Sequence, residues 1–184
     1  YTEVVTGIDA KDPHVSLCDA EFAPFEKGKF YLCTRTNNAY TSQLFLCEEY
    51  GKRVKDISPA GVKSERMEVA VLHEQKYKGK FYLAQGWIHC YVRFFDGKVF
   101  SDPLNKEAVN QVYAGAYWNF EFSVNQKDTS IMYLSMTQVS RSTDGGRNFK
   151  VISQYNEKNV HADIRAQVLA QSSEKGEHDV LIVG

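Results

Sequence analysis

Nothing in the 184 residues is long and apolar enough to cross a bilayer: no hydrophobic run approaches the roughly 20 residues a spanning helix needs. A dominant charge is missing too. Lys and Arg number 22 against 23 Asp and Glu, a formal net charge of −1, so nothing biases the chain toward nucleic acid or anionic membrane. The four cysteines, Cys18, Cys33, Cys47 and Cys90, show no CxxC or Cys/His spacing, which argues against a zinc site. They lie in apolar strand-like runs and read as buried thiols; Cys33 and Cys47, expected on neighbouring strands, are also a candidate disulfide pair. No segment combines a helical period with caps. There is no initiator Met, and the chain starting at Tyr1 reads as a processed product, a mature form or a piece of something longer. What remains is 43% hydrophobic and 13% aromatic, enough for one good core.

A repeat is the strongest internal signal. Lys27-Gly28-Lys29-Phe30-Tyr31-Leu32 recurs as Lys78-Gly79-Lys80-Phe81-Tyr82-Leu83, an offset of 51 from Phe30 to Phe81. Met132-Tyr133-Leu134 follows another 51 on, and Leu181-Ile182-Val183 another 49. Short strand patterns lie between, with hairpin signals at Asn37-Asn38, Asp96-Gly97 and Asp144-Gly145-Gly146. Four short strands per unit of about 50 residues predict an all-β fold, a β-propeller segment of about four four-stranded blades.

The stretch Ser142-Thr143-Asp144-Gly145-Gly146-Arg147-Asn148-Phe149 gives that expectation a local chemistry. Asp144 can accept from turn N–H groups while Ser142 helps close the turn. Gly145 and Gly146 take positive φ, and Phe149 folds back into the core. The pattern S-x-D-x-G-x-x-F resembles the Asp-box, or bacterial neuraminidase repeat, of the sialidase, xyloglucanase and sortilin-like propellers. His161-Ala162-Asp163-Ile164-Arg165 is similar to the H-x-D-x-(H/R) segment that often opens the next inner strand in such repeats. Phe149 stands where the family usually has Trp, and Asn148 where it has Ser or Thr. Arg93 to Phe100 is a shortened second copy, and Tyr40-Thr41-Ser42 with Glu48 to Lys52 a more degenerate third.

Aligned on the box, residues 1–8 are expected to be the outer strand of a preceding blade. Blades are expected at 14–58, 64–104 and 114–155, and residues 161–184 as the inner half of a further one. A sheet edge needs a partner. The chain is therefore expected to be part of a six- to ten-bladed ring, completed by the remainder of the propeller or by another chain; a closed four-blade ring is the alternative.

Inner strands aligned on Phe22, Val71, Phe122 and Val168 alternate with period two. Ala20/Phe22, Val69/Val71, Phe120/Phe122 and Ala166/Val168 form the apolar face. Asp19/Glu21, Glu68/Ala70, Asn119/Glu121 and Arg165/Gln167 form the other. Asp19, Glu68, Asn119 and Arg165 thus fall at equivalent positions, expected to line a wet central channel or to be paired strand residues. His161 and Asp163 are candidate ligand contacts, although the repeat of His161 at His14 also fits a turn role. Trp87, Tyr117 and Trp118 are aromatics placed near strand starts and turns, suited to stacking on a sugar or anchoring a protein. No cofactor is implied, and a metal held by His161 and Asp163 would need further ligands that the sequence does not display.

A sialidase needs three arginines and a Tyr–Glu pair, and no F/Y-R-x-P segment marks the first of that triad. Glycoside hydrolysis in general needs two carboxyls flanking the bond, and Asp19, Glu21, Glu68, Glu121 and Asp163 are candidates by position alone. The expectation is a protein- or glycan-binding scaffold; the competing class is a glycoside hydrolase to which this segment lends part of the cleft. The family resemblance implies an extracellular or cell-surface location.

Overall fold

A computed structural model describes residues 15–36, 41–86, 89–110, 120–153, 164, 166–170 and 180–184. Among them the chain is all-β and antiparallel within each sheet. Strands β1 (Val15–Phe22), β2 (Phe30–Thr36), β3 (Leu44–Glu48) and β4 (Arg53–Asp56) form a first meander. A second consists of β5 (Arg66–Val71), β6 (Phe81–Gly86), β7 (His89–Phe95) and the short β8 (Val109–Asn110). A third contains β9 (Glu121–Val124), β10 (Met132–Ser135), β11 (Val139–Ser142) and β12 (Lys150–Ser153). A last hairpin pairs β13 (Gln167–Ala170) with β14 (Val180–Val183). The expected outer strand at 1–8 lies outside the described residues.

The repeated Lys-Gly-Lys-Phe motif does the same job twice. Gly28 and Gly79 sit at φ of 77° and 73°, the left-handed region that glycine enters without a Cβ penalty. Each turn then delivers a phenylalanine to the start of a second strand, Phe30 to β2 and Phe81 to β6.

Apolar layers fill the spaces between meanders. Tyr31, Cys33 and Leu44 of the first pack against Met67, Val69, Phe81 and Leu83 of the second. Ala70, Ala84 and Val92 of the second meet Phe122, Met132 and Leu134 of the third. Tyr133 and Val139 of the third meet Leu169, Leu181 and Val183 of the hairpin. Each internal sheet therefore has two buried faces, which is why β5 is buried along its whole length.

Between meanders, side chains replace most of the backbone ladder. Arg35 opposite Arg66 and a parallel bridge from Thr41 to Ser64 join the first two. Register shifts in β1 between Leu17 and Asp19, and this bulge aims two side chains at β5. Cys18 Sγ donates to the Met67 carbonyl at 3.3 Å, and Val69 N–H donates to Asp19 Oδ2 at 2.8 Å. Gln126 accepts from His73 N–H at 2.8 Å and donates to the Val71 carbonyl at 2.9 Å. Gln167 of β13 donates to Ser123 Oγ at 2.5 Å and accepts from Ser135 Oγ.

Two expectations need correction. Cys33 stands opposite Leu44 and Cys47 opposite Phe30, and the two thiols enter different apolar clusters on opposite faces of the sheet. No disulfide can join them, and all four thiols are free. The apolar face of the inner strands is also not uniformly covered: Val69 is 3% exposed, whereas Phe22 is 76% and Val168 59% exposed. Alternation assigns a face, but only a neighbouring sheet buries it.

Candidate functional site

The Asp-box residues Ser142, Asp144, Gly146 and Phe149 form a closed turn after β11. Ser142 Oγ donates to Asp144 Oδ1 at 2.9 Å and accepts from Gly146 N–H at 3.0 Å. Asp144 Oδ1 accepts from the N–H groups of Arg147 and Asn148, at 3.1 and 2.9 Å, and Oδ2 from Asn148 Nδ2 at 2.7 Å. The Asn148 side chain foremost holds this carboxyl down at about 2. Gly146 has φ of 82°, and a Cβ there would stand 3.0 Å from Met132 Sδ. Phe149 packs on the layer between the second and third meanders. The Asp144 carboxylate and the Ser142 hydroxyl are thus occupied within the turn, and Gly145 N–H ties it to the Ser130 carbonyl at 2.9 Å. Asp96 closes the shortened copy in the same way, accepting from Lys98 and Val99 N–H at 2.8 and 2.9 Å.

A group of acids gathers where β1, β5 and β9 run side by side. Asp19 and Glu21 come from β1, Glu68 from β5 and Glu121 from β9, with Arg66 of β5 among them. Arg66 donates to Glu68 Oε1 through Nε at 2.9 Å and Nη2 at 2.7 Å, and Nη2 reaches Glu121 Oε1 at 3.9 Å. Glu68 is 6% exposed and forms a buried ion pair with Arg66. Asp19 is half-buried and is held by Val69 N–H.

Burial pushes all four carboxyls up. For Asp19 it outweighs the hydrogen bonds from Val69 and Ala20. Glu21 rises to about 7, through burial first and the Asp19 charge second. Glu68 goes up through burial and the Asp19 charge, against the pull of Arg66, and Glu121 goes up through burial. Burial works against the Arg66 charge as well, but the carboxylates around it, Glu68 foremost, more than offset this. One guanidinium stands among four carboxyls, and burial there shifts each of them toward the neutral acid. Glu21 combines partial exposure with a carboxyl raised to about 7, within the range of a general acid.

A second feature lies between the first two meanders. A cleft of about 820 Å³ separates the first meander from the Asp96–Phe100 turn of the second. Tyr31, Leu46, Ile57, Phe95 and Phe100 line its apolar part; the rings of Phe95 and Phe100 lie 4.8 Å apart, tilted at 45°. Lys55, Arg93 and Lys98 bring positive charge. Lys29 is already held by Glu26 at 2.8 Å and Glu48 at 3.2 Å. Asp56 is held by Ser58 Oγ at 2.6 Å, Ser58 N–H at 2.8 Å and Gln43 at 2.8 Å. Lys55, Arg93 and Lys98 have no carboxylate within ion-pair distance among the described residues. Arg93 Nη1 donates to the Ser101 carbonyl at 2.8 Å, while its buried Nε has no partner there. Burial lowers the Arg93 pKa, and Asp102 opposes this only in part.

Of the residues singled out by sequence, Asp19 and Glu68 are brought together at the converging strands. Asn119, His161, Asp163, Arg165, Trp87, Tyr117 and Trp118 lie outside the described residues. Arg66 was missed, although its place two residues before Glu68 on a strand puts both on one face. The cleft cations were missed as well, and their spacing in sequence carries no signal of it. Among the described residues no group of three His, Cys, Asp or Glu side chains could hold a metal, and no helix is long and apolar enough to cross a membrane. No family model matches the chain, and no curated protein matches it.

Proposed function

We propose that this chain is a segment of an Asp-box β-propeller that binds a protein or glycan ligand without transforming it. One observation carries the reading: Asp19 and Glu68 at the converging strands are engaged internally, whereas the cleft between the first two meanders offers cations with no carboxylate at ion-pair distance among the described residues. Asp19 laces β1 to β5, and Glu68 is locked to Arg66. Groups tied into the scaffold in this way hold the strands together; they are not free to receive a substrate. The cleft is open, mixed in character and within the size range of ligand sites.

The propeller reading rests on successive four-stranded meanders whose first strands run side by side, and on the closed Asp-box turn. Exposed apolar side chains on β1 and on the last hairpin, such as Phe22 and Val168, suit contact with further blades, whether of a longer chain or of a partner. An extracellular or cell-surface location accompanies the family reading.

Glu21 supports one alternative, glycoside hydrolysis. It is a half-buried carboxyl with its pKa at about 7 beside Asp19, the kind of group a glycosidase uses as its acid. The test is a paired assay of the full chain: reducing-sugar release from xyloglucan and sialic acid release from sialyllactose, beside saturable binding to the same sugars and to an acidic peptide. The expected result is binding that Lys98→Glu weakens, with no hydrolysis. Hydrolysis that vanishes in Glu21→Gln would overturn the proposal.

A further inference from the structure

The cleft has a chemical bias that narrows its occupant. Three cations, Lys55, Arg93 and Lys98, border an apolar floor and have no carboxylate within ion-pair distance among the described residues. Lys55 and Lys98 are exposed and mobile enough to meet a carboxylate from either side. Arg93 is different: it is half-buried, and its Nη1 donates to the Ser101 carbonyl at 2.8 Å, which fixes the planar guanidinium in the cleft wall beside the two mobile lysines.

The lining also says what the ligand body is. Sugar sites rely on open ring faces and on side chains that read hydroxyls in both directions. The described residues lining this cleft include no Asn, Gln, His or Trp, the Ser58 and Ser101 hydroxyls already donate to Asp56 and to the Asp102 carbonyl, and Phe95 and Phe100 turn their rings against each other. Phenyl and aliphatic surface beside cations matches apolar side chains alternating with carboxylates. The geometry favours an extended chain: β4 lies at the edge of its sheet and pairs only with β3 among the described residues. Its residues Lys55 and Asp56 border the cleft. An extended peptide laid along such an edge alternates its side chains between the two faces.

We propose that the cleft between the first two meanders binds an acidic, apolar peptide segment of a partner protein, its carboxylates on Lys55, Arg93 and Lys98 and its apolar side chains on the floor beneath. This rests on the reading of the chain as a non-catalytic binding segment and supplies the ligand class for it.

The test is fluorescence anisotropy on the full chain with a labelled nonapeptide alternating glutamate with leucine and phenylalanine. A lysine-for-glutamate counterpart serves as control, and unlabelled oligogalacturonate as competitor. The expected result is saturable binding of the acidic peptide only. Lys98→Glu and Arg93→Gln should each weaken it about tenfold, and added salt should weaken it further. Lys55→Glu, an exposed substitution, guards against a misfolded variant, with thermal melts run on all three. No saturable binding, equal binding of the lysine peptide, or affinity unchanged in all three variants would overturn the inference. Stronger binding of oligogalacturonate, lost in Lys98→Glu, would overturn the peptide and leave non-catalytic binding standing. Sugar hydrolysis without peptide binding would overturn both.

Discussion

The converging strands and the cleft differ in the degree to which their charged groups are already committed: acids predominate at the first, and both signs line the second. At the first, Arg66, Glu68 and Asp19 already satisfy one another or the backbone, and water is largely excluded. At the second, Lys55, Arg93 and Lys98 face an open space with no carboxylate at ion-pair distance among the described residues. A cluster of acids in a pocket invites a catalytic reading, yet here the pairing of each group decides its role better than its residue type. Buried, paired charge is architecture. Exposed, unpaired charge is available for recognition.

Removing the buried cation should break this contrast most visibly. Arg66→Met leaves Glu68 and its neighbours without a counter-charge, and is expected to cost about 3–5 kcal/mol in urea unfolding. The double variant Arg66→Met, Glu68→Leu should recover most of that loss, because the pair rather than either charge is what the interior tolerates. A mild effect of the single variant would mean that the acids are solvated and free. Next comes Asp19→Ala, which strips the acceptor from Val69 N–H and is expected to cost about 1–3 kcal/mol. Asp19→Asn keeps an acceptor oxygen and should remain closer to the native protein.

The pH dependence sharpens the same contrast. Glu21 titrates at about 7 in the fold against an ordinary 4.5. Between those values the folded chain holds a proton that the unfolded chain has released. Its contribution to stability is therefore greatest below the ordinary value and declines as pH rises through 7. Urea midpoints measured from pH 5 to 8 should fall, and Glu21→Gln should flatten that slope. A slope unchanged in the variant would remove Glu21 from the acid group. Lys98→Glu is expected to have the smallest effect on folding, within about 0.5 kcal/mol, because Lys98 is exposed and its charge acts only weakly, through solvent, on the neighbouring Asp96. Its effect belongs to binding.

Local chemistry was the most legible part of the sequence. Ser142, Asp144 and Gly146 act over a few residues, so turn rules alone describe their hydrogen bonds and the positive φ. The meeting of Asp19 and Glu68 could be read because a repeat of about 50 residues puts equivalent positions of successive first strands side by side. Burial was harder to read. Phe22 and Val71 occupy the same alternating position, yet one is exposed and the other covered, since cover depends on a neighbouring sheet that alternation does not report. The β1 bulge that turns Cys18 and Asp19 toward β5 has no clear sequence mark. The cleft was invisible for a related reason: Lys55 lies on β4 of the first meander and Lys98 in the turn after β7 of the second, and only packing puts them around one space.

The central claim is that the ligand meets the cleft and not the converging acids. Backbone amide shifts of the isotope-labelled chain, followed while the acidic nonapeptide is added, test it most directly. Shifts concentrated at Lys55–Ala60 and Gly97–Asp102, absent in Lys98→Glu, are the expected result. Shifts concentrated at Asp19–Glu21, Glu68 and Glu121 would contradict the account.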